Sequence, residues 1–338
     1  IGVVRILIFL ALANIALVFW QAGFDPGFWV FPGYSRTYLD RVGGVFNNPN
    51  HLAGFLAAVA PLFLALAIWG RTGPHRRILL SFLGLLCLLA LALTQSRGGL
   101  LAAGTGLAVL AAIVLWLHRS TWRDRTGIAL AVLAIGLLIA GGLAAVNFKV
   151  LEQRFAEGAF TRSMEANRPL LWKAALQQNA ESPLIGTGSR TYFYYSRKFR
   201  SPEMHVSVLE ADFAHNDYVQ MLADYGWIGA VLLALLILAH GRSGWRLIRR
   251  YSHEYEEGRR PSLQSRHLAL TAGALAGLAA LGVHASVDFL LHVPSIAILS
   301  AVLLGILANP GHLPRRETAP GPARKLPSTA CRVAIPLA

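Results

Sequence analysis

The chain returns again and again to runs of roughly 20 apolar residues, the length a helix needs to cross about 30 Å of hydrocarbon. Eight such runs stand near 3–20, 51–69, 78–94, 100–117, 127–146, 222–240, 268–287 and 294–308, the last being the shortest. A helix satisfies its own backbone polar groups, so the runs predict spans of an all-α, polytopic integral membrane bundle. Composition agrees: 55% of the residues are hydrophobic and 14% charged, against roughly 25% charged in an ordinary soluble domain. The mean hydropathy is +0.49. No small-residue cleavage pattern follows Trp20, so the first run reads as a span and not as a removed signal.

Lysine and arginine resist translocation, and the short basic loops therefore orient the bundle. The loop 70–77 carries Arg71, Arg76 and Arg77, the loop after the fourth run carries Arg119, Arg123 and Arg125, and the loop 241–267 carries seven arginines. These loops and the basic, proline-containing tail 309–338 are expected on the cytoplasmic side, the tail without fixed structure. Four parts follow: five spans in 1–146, a long extracytoplasmic loop with amphipathic helices in 147–221, three spans in 222–308, and the tail. The net charge of +14 is explained by this topology, and no nucleic-acid partner is expected. Cys87 lies inside a span and Cys331 in the tail, which leaves no disulfide framework.

The outer segments 21–50, 94–99, 147–221 and 288–293 are where function is expected. In the long loop, Asn167-Arg168-Pro169 reads as a helix start with Asn167 as cap, and the apolar spacing through Ala180 predicts an amphipathic helix on the membrane surface, ending at 181–183. Gly186-Thr187-Gly188 then reads as a flexible turn. The following segment mixes Tyr192, Phe193, Tyr194, Tyr195 and Phe199 with Arg197 and Lys198. Two readings fit: an interfacial aromatic belt, or a surface that stacks sugar rings, with Tyr192, Tyr194 and Tyr195 as glycan contacts.

His215 sits before a helix start at the outer mouth, where an imidazole can act as base or hydrogen-bond donor. Arg97, between two spans, reads either as a snorkelling arginine or as a phosphate ligand, with Arg168 a second ligand of the same kind. Asn47 and Asn50 could add neutral donors, although capping by Asn50 explains part of that cluster. His284, Asp288 and His292 are spaced by four, which places them on one face of a helix, with His284 and Asp288 as supporting residues. Two histidines and one aspartate without further clustered ligands are a weak metal signal, Asp288 can instead pair with a basic residue from a neighbouring span, and no metal is expected. GxxxxGK, GxGxxG and HExxH are all missing, which argues against ATP-driven transport, dinucleotide chemistry and zincin proteolysis.

Taken in order, Phe46-Asn47-Asn48-Pro49-Asn50-His51, Thr94-Gln95-Ser96-Arg97-Gly98-Gly99, Arg168 with Trp172, Pro183 to Gly188, His215-Asn216-Asp217-Tyr218 and His284 to Pro294 resemble the O-antigen ligase and polymerase superfamily. The resemblance implies a multi-spanning, GT-C-like glycosyltransferase in the bacterial inner membrane. Its donor would be a glycan on undecaprenyl diphosphate, and its acceptor a lipid, glycan or protein on the outer face. It implies inverting transfer without metal or other cofactor, with Arg168 and His215 as the essential pair and Arg97 holding the diphosphate. Members of that superfamily commonly have ten or more spans, and eight runs stand in this sequence. The competing class is a transporter or flippase of the same lipid-linked glycan, which would place charged groups deep within several spans.

Overall fold

The computed structural model describes residues 2–31, 39, 41–119, 168–200 and 211–308. The described residues form helices joined by turns, and contain no strand. Four apolar helices come first: α1 (Gly2–Gly23), α2 (Pro49–Trp69), α3 (Pro74–Leu93) and α4 (Arg97–Leu117). The long-loop helix α5 (Arg168–Glu181), the single turn α6 (Tyr192–Tyr195), the 40-residue α7 (Asp217–Glu256), α8 (Arg266–Ala285) and α9 (Pro294–Ala308) follow. Six of these, α1 to α4, α7 and α8, are long and apolar enough to cross a membrane. The chain is thus an all-helical, multi-pass membrane protein. The expected span 127–146 and the tail 309–338 lie outside the described residues. At 15 residues, α9 rises about 22 Å, short of the hydrocarbon thickness.

The packing centres on α2, apolar on every side and buried along nearly its whole length between α3, α4 and α8. Small residues make the close approaches possible. A Cβ on Gly277 would come within 2.6 Å of the Ala58 carbonyl, and one on Gly273 within 2.6 Å of the Leu62 Cα. In lipid, where apolar surface gains nothing by leaving the solvent, such backbone proximity and van der Waals contact hold helices together.

The two ends of the bundle differ. At one end Ser265 donates its N–H to the Trp69 carbonyl, Tyr251 bonds Ser265 across 2.8 Å, and Arg119 pairs with Glu256 at 2.9 Å. Among the described residues, Arg77, Arg119 and Arg260 stand at this end, and the last turns of α7 carry Arg246, Arg249 and Arg250. At the other end meet the N-termini of α2, α4 and α7 and the C-termini of α3 and α8. The two buried amides of α1 secure the approach to α2: Gln21 Oε1 accepts from the N–H groups of Gly43 and Gly44 at 3.0 and 2.9 Å, and Asn14 Oδ1 accepts from Val45 at 3.1 Å.

Candidate functional site

Side-chain caps fix the elements around the site. Asn48 accepts from the Asn50 N–H at 2.9 Å and starts α2 with Pro49 in its first turn. Asn48, not Asn50, is therefore the cap. The Asn50 side chain is released, and it donates Nδ2 to Asp288 Oδ2 at 2.8 Å while its Oδ1 accepts from Arg41 Nη2 at 2.9 Å. Ser96 Oγ caps α4 by accepting from Gly99 at 3.1 Å, which sets Arg97 in the first turn. Asn216 caps α7 by accepting from Tyr218 and Val219 at 3.0 and 3.2 Å, and leaves His215 at φ +51° just ahead of the helix.

The trio His284, Asp288 and His292 does not share a helix face as its spacing suggested. Helix α8 stops at Ala285 and the chain turns, so that His284 and Asp288 reach the same cleft while His292 pairs with Asp217. Asp288, almost fully buried, becomes the centre of the site. Its Oδ1 lies 3.1 Å from His215 Nδ1 and accepts from the Phe289 N–H at 2.9 Å. Its Oδ2 takes the Asn50 amide and stands 4.0 Å from Arg168 Nη2. Burial would raise this carboxyl, but the hydrogen bond from His215 and the charge of Arg168 outweigh it and hold the group well below the usual carboxylate range. Arg168 is itself anchored, donating Nη1 to the Val287 carbonyl at 2.7 Å.

A second acid–imidazole pair lies beside the first. Asp217 Oδ1 is 2.7 Å from His292 Nδ1, and Asp217 Oδ2 accepts from the Leu291 N–H at 2.8 Å. His292 Nε2 stands 3.3 Å from the Gln220 amide nitrogen, and Gln220 Oε1 accepts from the Ala214 N–H at 2.9 Å. The backbone just before His215 is thereby tied to the turn that carries Asp288. Phe289 packs edge-on to His215 and His51, each at 4.8 Å between ring centres.

Between these elements opens a cleft of about 280 Å³, whose wall includes Arg41, Asn50, Arg97, Arg168, His284 and Asp288. Three arginines against one aspartate give it a formal excess of positive charge, which suits a polyanion. Sequence reasoning missed Arg41. It donates Nε to the Thr94 carbonyl at 2.9 Å as well as Nη2 to Asn50, and so joins the turn before Arg97 to the network around Asp288. Asn47 is exposed and outside the lining.

The long-loop helix α5 is docked against protein. Leu171, Ala174 and Ala175 are buried against α7 and the segment around Tyr192, and Asn179 donates to the Leu222 carbonyl at 2.7 Å. The turn expected to be flexible is pinned too. Thr187 and Gly188 donate to the Ala223 and Asp224 carbonyls at 3.1 and 3.0 Å, and Trp227 and Ile228 donate back to Pro183 and Leu184 at 2.8 and 3.0 Å. This exchange happens where α7 kinks at Gly226 (φ +64°, ψ −170°). A Cβ there would lie 2.4 Å from the Leu184 carbonyl, and one on Gly186 2.4 Å from the Asp224 carbonyl. Asn167 lies outside the described residues.

Of the three tyrosines read as glycan contacts, Tyr192 is corrected. It is fully buried, donates its hydroxyl to the Leu171 carbonyl at 3.1 Å, and burial pushes its phenol up to about 12. Tyr194 is exposed and Tyr195 partly so, away from the cleft lining.

Residues 82–234 match the family model described as O-antigen ligase. Over that stretch the chain is similar to the O-antigen ligase family. The O-antigen ligase match holds Arg97, Arg168 and His215, while Arg41, Asn50, His284 and Asp288 reach the same cleft from outside it. The chain is also similar to an uncharacterized protein of Haemophilus influenzae, 28% identical over 166 residues. That alignment covers 46% of this chain and 40% of the relative, so the chain spans less than half of that protein's length.

Proposed function

We propose that the protein transfers a glycan from an undecaprenyl-diphosphate carrier to a lipid, glycan or protein acceptor at the outer face of the bacterial inner membrane. The observation that carries this reading is the meeting of Arg168 and His215, from two separate parts of the long loop, on the single carboxylate of Asp288 beside an arginine-lined cleft. The cleft stands at the end of the bundle opposite the basic loops, which supports an outer-face site.

The chemistry follows from these groups. An ionised Asp288 accepts a proton-bearing Nδ1 from His215, which fixes the tautomer and leaves the Nε2 lone pair to take a proton. The acceptor hydroxyl attacks the anomeric carbon, the bond from that carbon to the diphosphate oxygen breaks, and the hydroxyl proton passes to His215. Undecaprenyl diphosphate leaves with the bond's electron pair, and Arg97 and Arg168 stabilise the charge it gains. Attack opposite the leaving group inverts the anomeric centre. The diphosphate linkage supplies the driving force, and the residues at the cleft supply the binding and proton transfer without a metal.

A transporter would carry ionisable groups at mid-depth in several spans. Among the described residues, the buried ones gather at the cleft end instead: Arg200, His215, Asp217, Asp224, His284 and Asp288. The test is expression of the full-length gene in a strain lacking its own ligase and polymerase, with products resolved by acceptor and length. A single jump onto lipid core identifies a ligase, and a ladder on the carrier a polymerase. No product that depends on His215 contradicts transferase activity.

A further inference from the structure

The histidine least accounted for by this scheme is His284, near the C-terminus of α8 and part of the cleft wall. Its side chain is 1% exposed. Its Nδ1 is sealed from solvent with no hydrogen-bond partner, and no described group bonds Nε2. The imidazole occupies a slot made by two glycines from different helices. A Cβ on Gly54 of α2 would lie 3.3 Å from Nδ1 and 2.9 Å from Leu290 Cδ1. A Cβ on Gly98 of α4 would lie 3.0 Å from both Cδ2 and Nε2 and 2.9 Å from Val287 Cγ2. Gly98 directly follows Arg97, so the ring's Nε2 side rests against the first turn of the helix that presents that arginine.

A neutral imidazole carries one donor and one acceptor. Nδ1, beside Gly54, is the sealed nitrogen, so a proton placed there would be stranded, whereas Nε2 is not sealed in this way and His284 forms part of the cleft wall. The carboxylate nearby is already engaged: Asp288 holds His215, Asn50 and the Phe289 N–H. The group missing from this arrangement is an acceptor brought by the ligand.

We propose that His284 is a binding residue for the diphosphate of the donor, giving an Nε2–H to a phosphate oxygen as an uncharged partner to the arginines, and that Gly54 and Gly98 seat it. The proposal rests on the reading of the cleft as a diphosphate site. It differs from the roles of Arg97, Arg168 and His215 in being a directed hydrogen bond that adds no charge.

The experiment measures binding of undecaprenyl diphosphate, and separately of inorganic diphosphate, to the purified full-length protein in nanodiscs, with melting temperature followed alongside. In His284→Gln the amide nitrogen reaches the Nε2 position, and affinity for both probes stays within about twofold of wild type. His284→Asn reaches only the Nδ1 position and His284→Phe has no donor; both bind about tenfold more weakly or worse. Gly98→Ala, which displaces the ring and leaves it intact, weakens binding in the same direction. Equal affinity in the Gln, Asn and Phe variants overturns the role of His284, as does a Gln variant as weak as Phe. Arg168→Ala separates the two failures. If it binds both probes like wild type, the cleft is not a diphosphate site and the underlying reading fails; if it alone loses binding, only the inference about His284 does.

Discussion

His215 and Asp288 stand 73 residues apart in the chain and 3.1 Å apart in space, Nδ1 to Oδ1. Two residues further along, Asp217 takes His292 at 2.7 Å, so the acid and base roles are exchanged between the same two segments. The crossed pairs fasten the start of α7 to the turn between α8 and α9. Each histidine is oriented by a carboxylate that has its own backbone donor, from Phe289 or Leu291. A base held this way keeps one tautomer and one direction.

Asp288→Asn keeps the size of the side chain but offers an amide where His215 needs an acceptor for Nδ1–H. Transfer should fall by about 100-fold or more, with membrane insertion unchanged. Steady-state rates of the purified variant check this, and a loss under threefold would remove Asp288 from the mechanism.

The same carboxylate sets an acid limit. Its folded pKa lies below the unfolded value near 4, so its contribution to stability is complete above that pH and is lost as pH falls further. Melting temperature should owe nothing to this group's titration between pH 5 and 8, and should drop below about pH 4. Asp288→Asn should flatten that acid drop in a pH series of thermal melts, at the expense of a lower plateau.

Gly226 occupies a backbone region that is essentially closed to other residues, and its Cα faces the Leu184 carbonyl. Gly226→Ala should cost about 1–3 kcal/mol from the dihedral alone, with the steric clash added, and should detach the 183–188 turn from α7. Gly241→Ala serves as the control: nothing lies within 4 Å of its added methyl, and its φ is ordinary. Thermal melts of the pair should separate clearly, and equal melts would contradict the docking.

His292→Ala breaks the chain from Asp217 through Gln220 to the Ala214 N–H. His215, at φ +51°, then loses the tether that holds its backbone. We expect kcat to fall about tenfold with KM nearly unchanged, since misplacement of a base affects the transition state more than binding. A change confined to KM would assign His292 to substrate contact instead.

Arg41→Lys keeps the charge but loses the planar fork that serves the Thr94 carbonyl and Asn50 together. Affinity for undecaprenyl diphosphate should drop several-fold in titrations at fixed salt. Wild-type affinity would make Arg41 a bystander.

The spans were legible because the bilayer imposes their length and apolarity directly on the sequence. The boundaries of α1 to α4 and α8 fall within a few residues of expectation, whereas α7 begins at Asp217, ahead of the 222 boundary, because Asn216 caps it, and runs on to Glu256 through residues expected to form a loop after 240. The site was legible in part. Arg97, Arg168 and Asn50 line the cleft, and His215 is bonded to its wall. The meeting of Asn50, Arg168 and His215 on the Asp288 carboxylate, with Arg41 held to Asn50, depends on tertiary packing that no local pattern encodes. Arg41 gave no signal, since a single arginine in an outer loop resembles any other. The four-residue spacing of 284, 288 and 292 misled because it presumed a continuous helix, and α8 ends at Ala285. Tyr192 misled because an aromatic cluster reads alike whether it faces core or solvent.

The most direct test is glycan transfer by the purified full-length protein in nanodiscs, with undecaprenyl-diphosphate-linked glycan and an acceptor supplied. Wild type, Arg168→Ala and His215→Ala would be compared at equal folded concentration. Wild type should turn over, and each variant should lose roughly 100-fold or more while keeping its melting temperature. Either variant within tenfold of wild type would contradict the assignment of charge stabilisation to Arg168 or of proton transfer to His215.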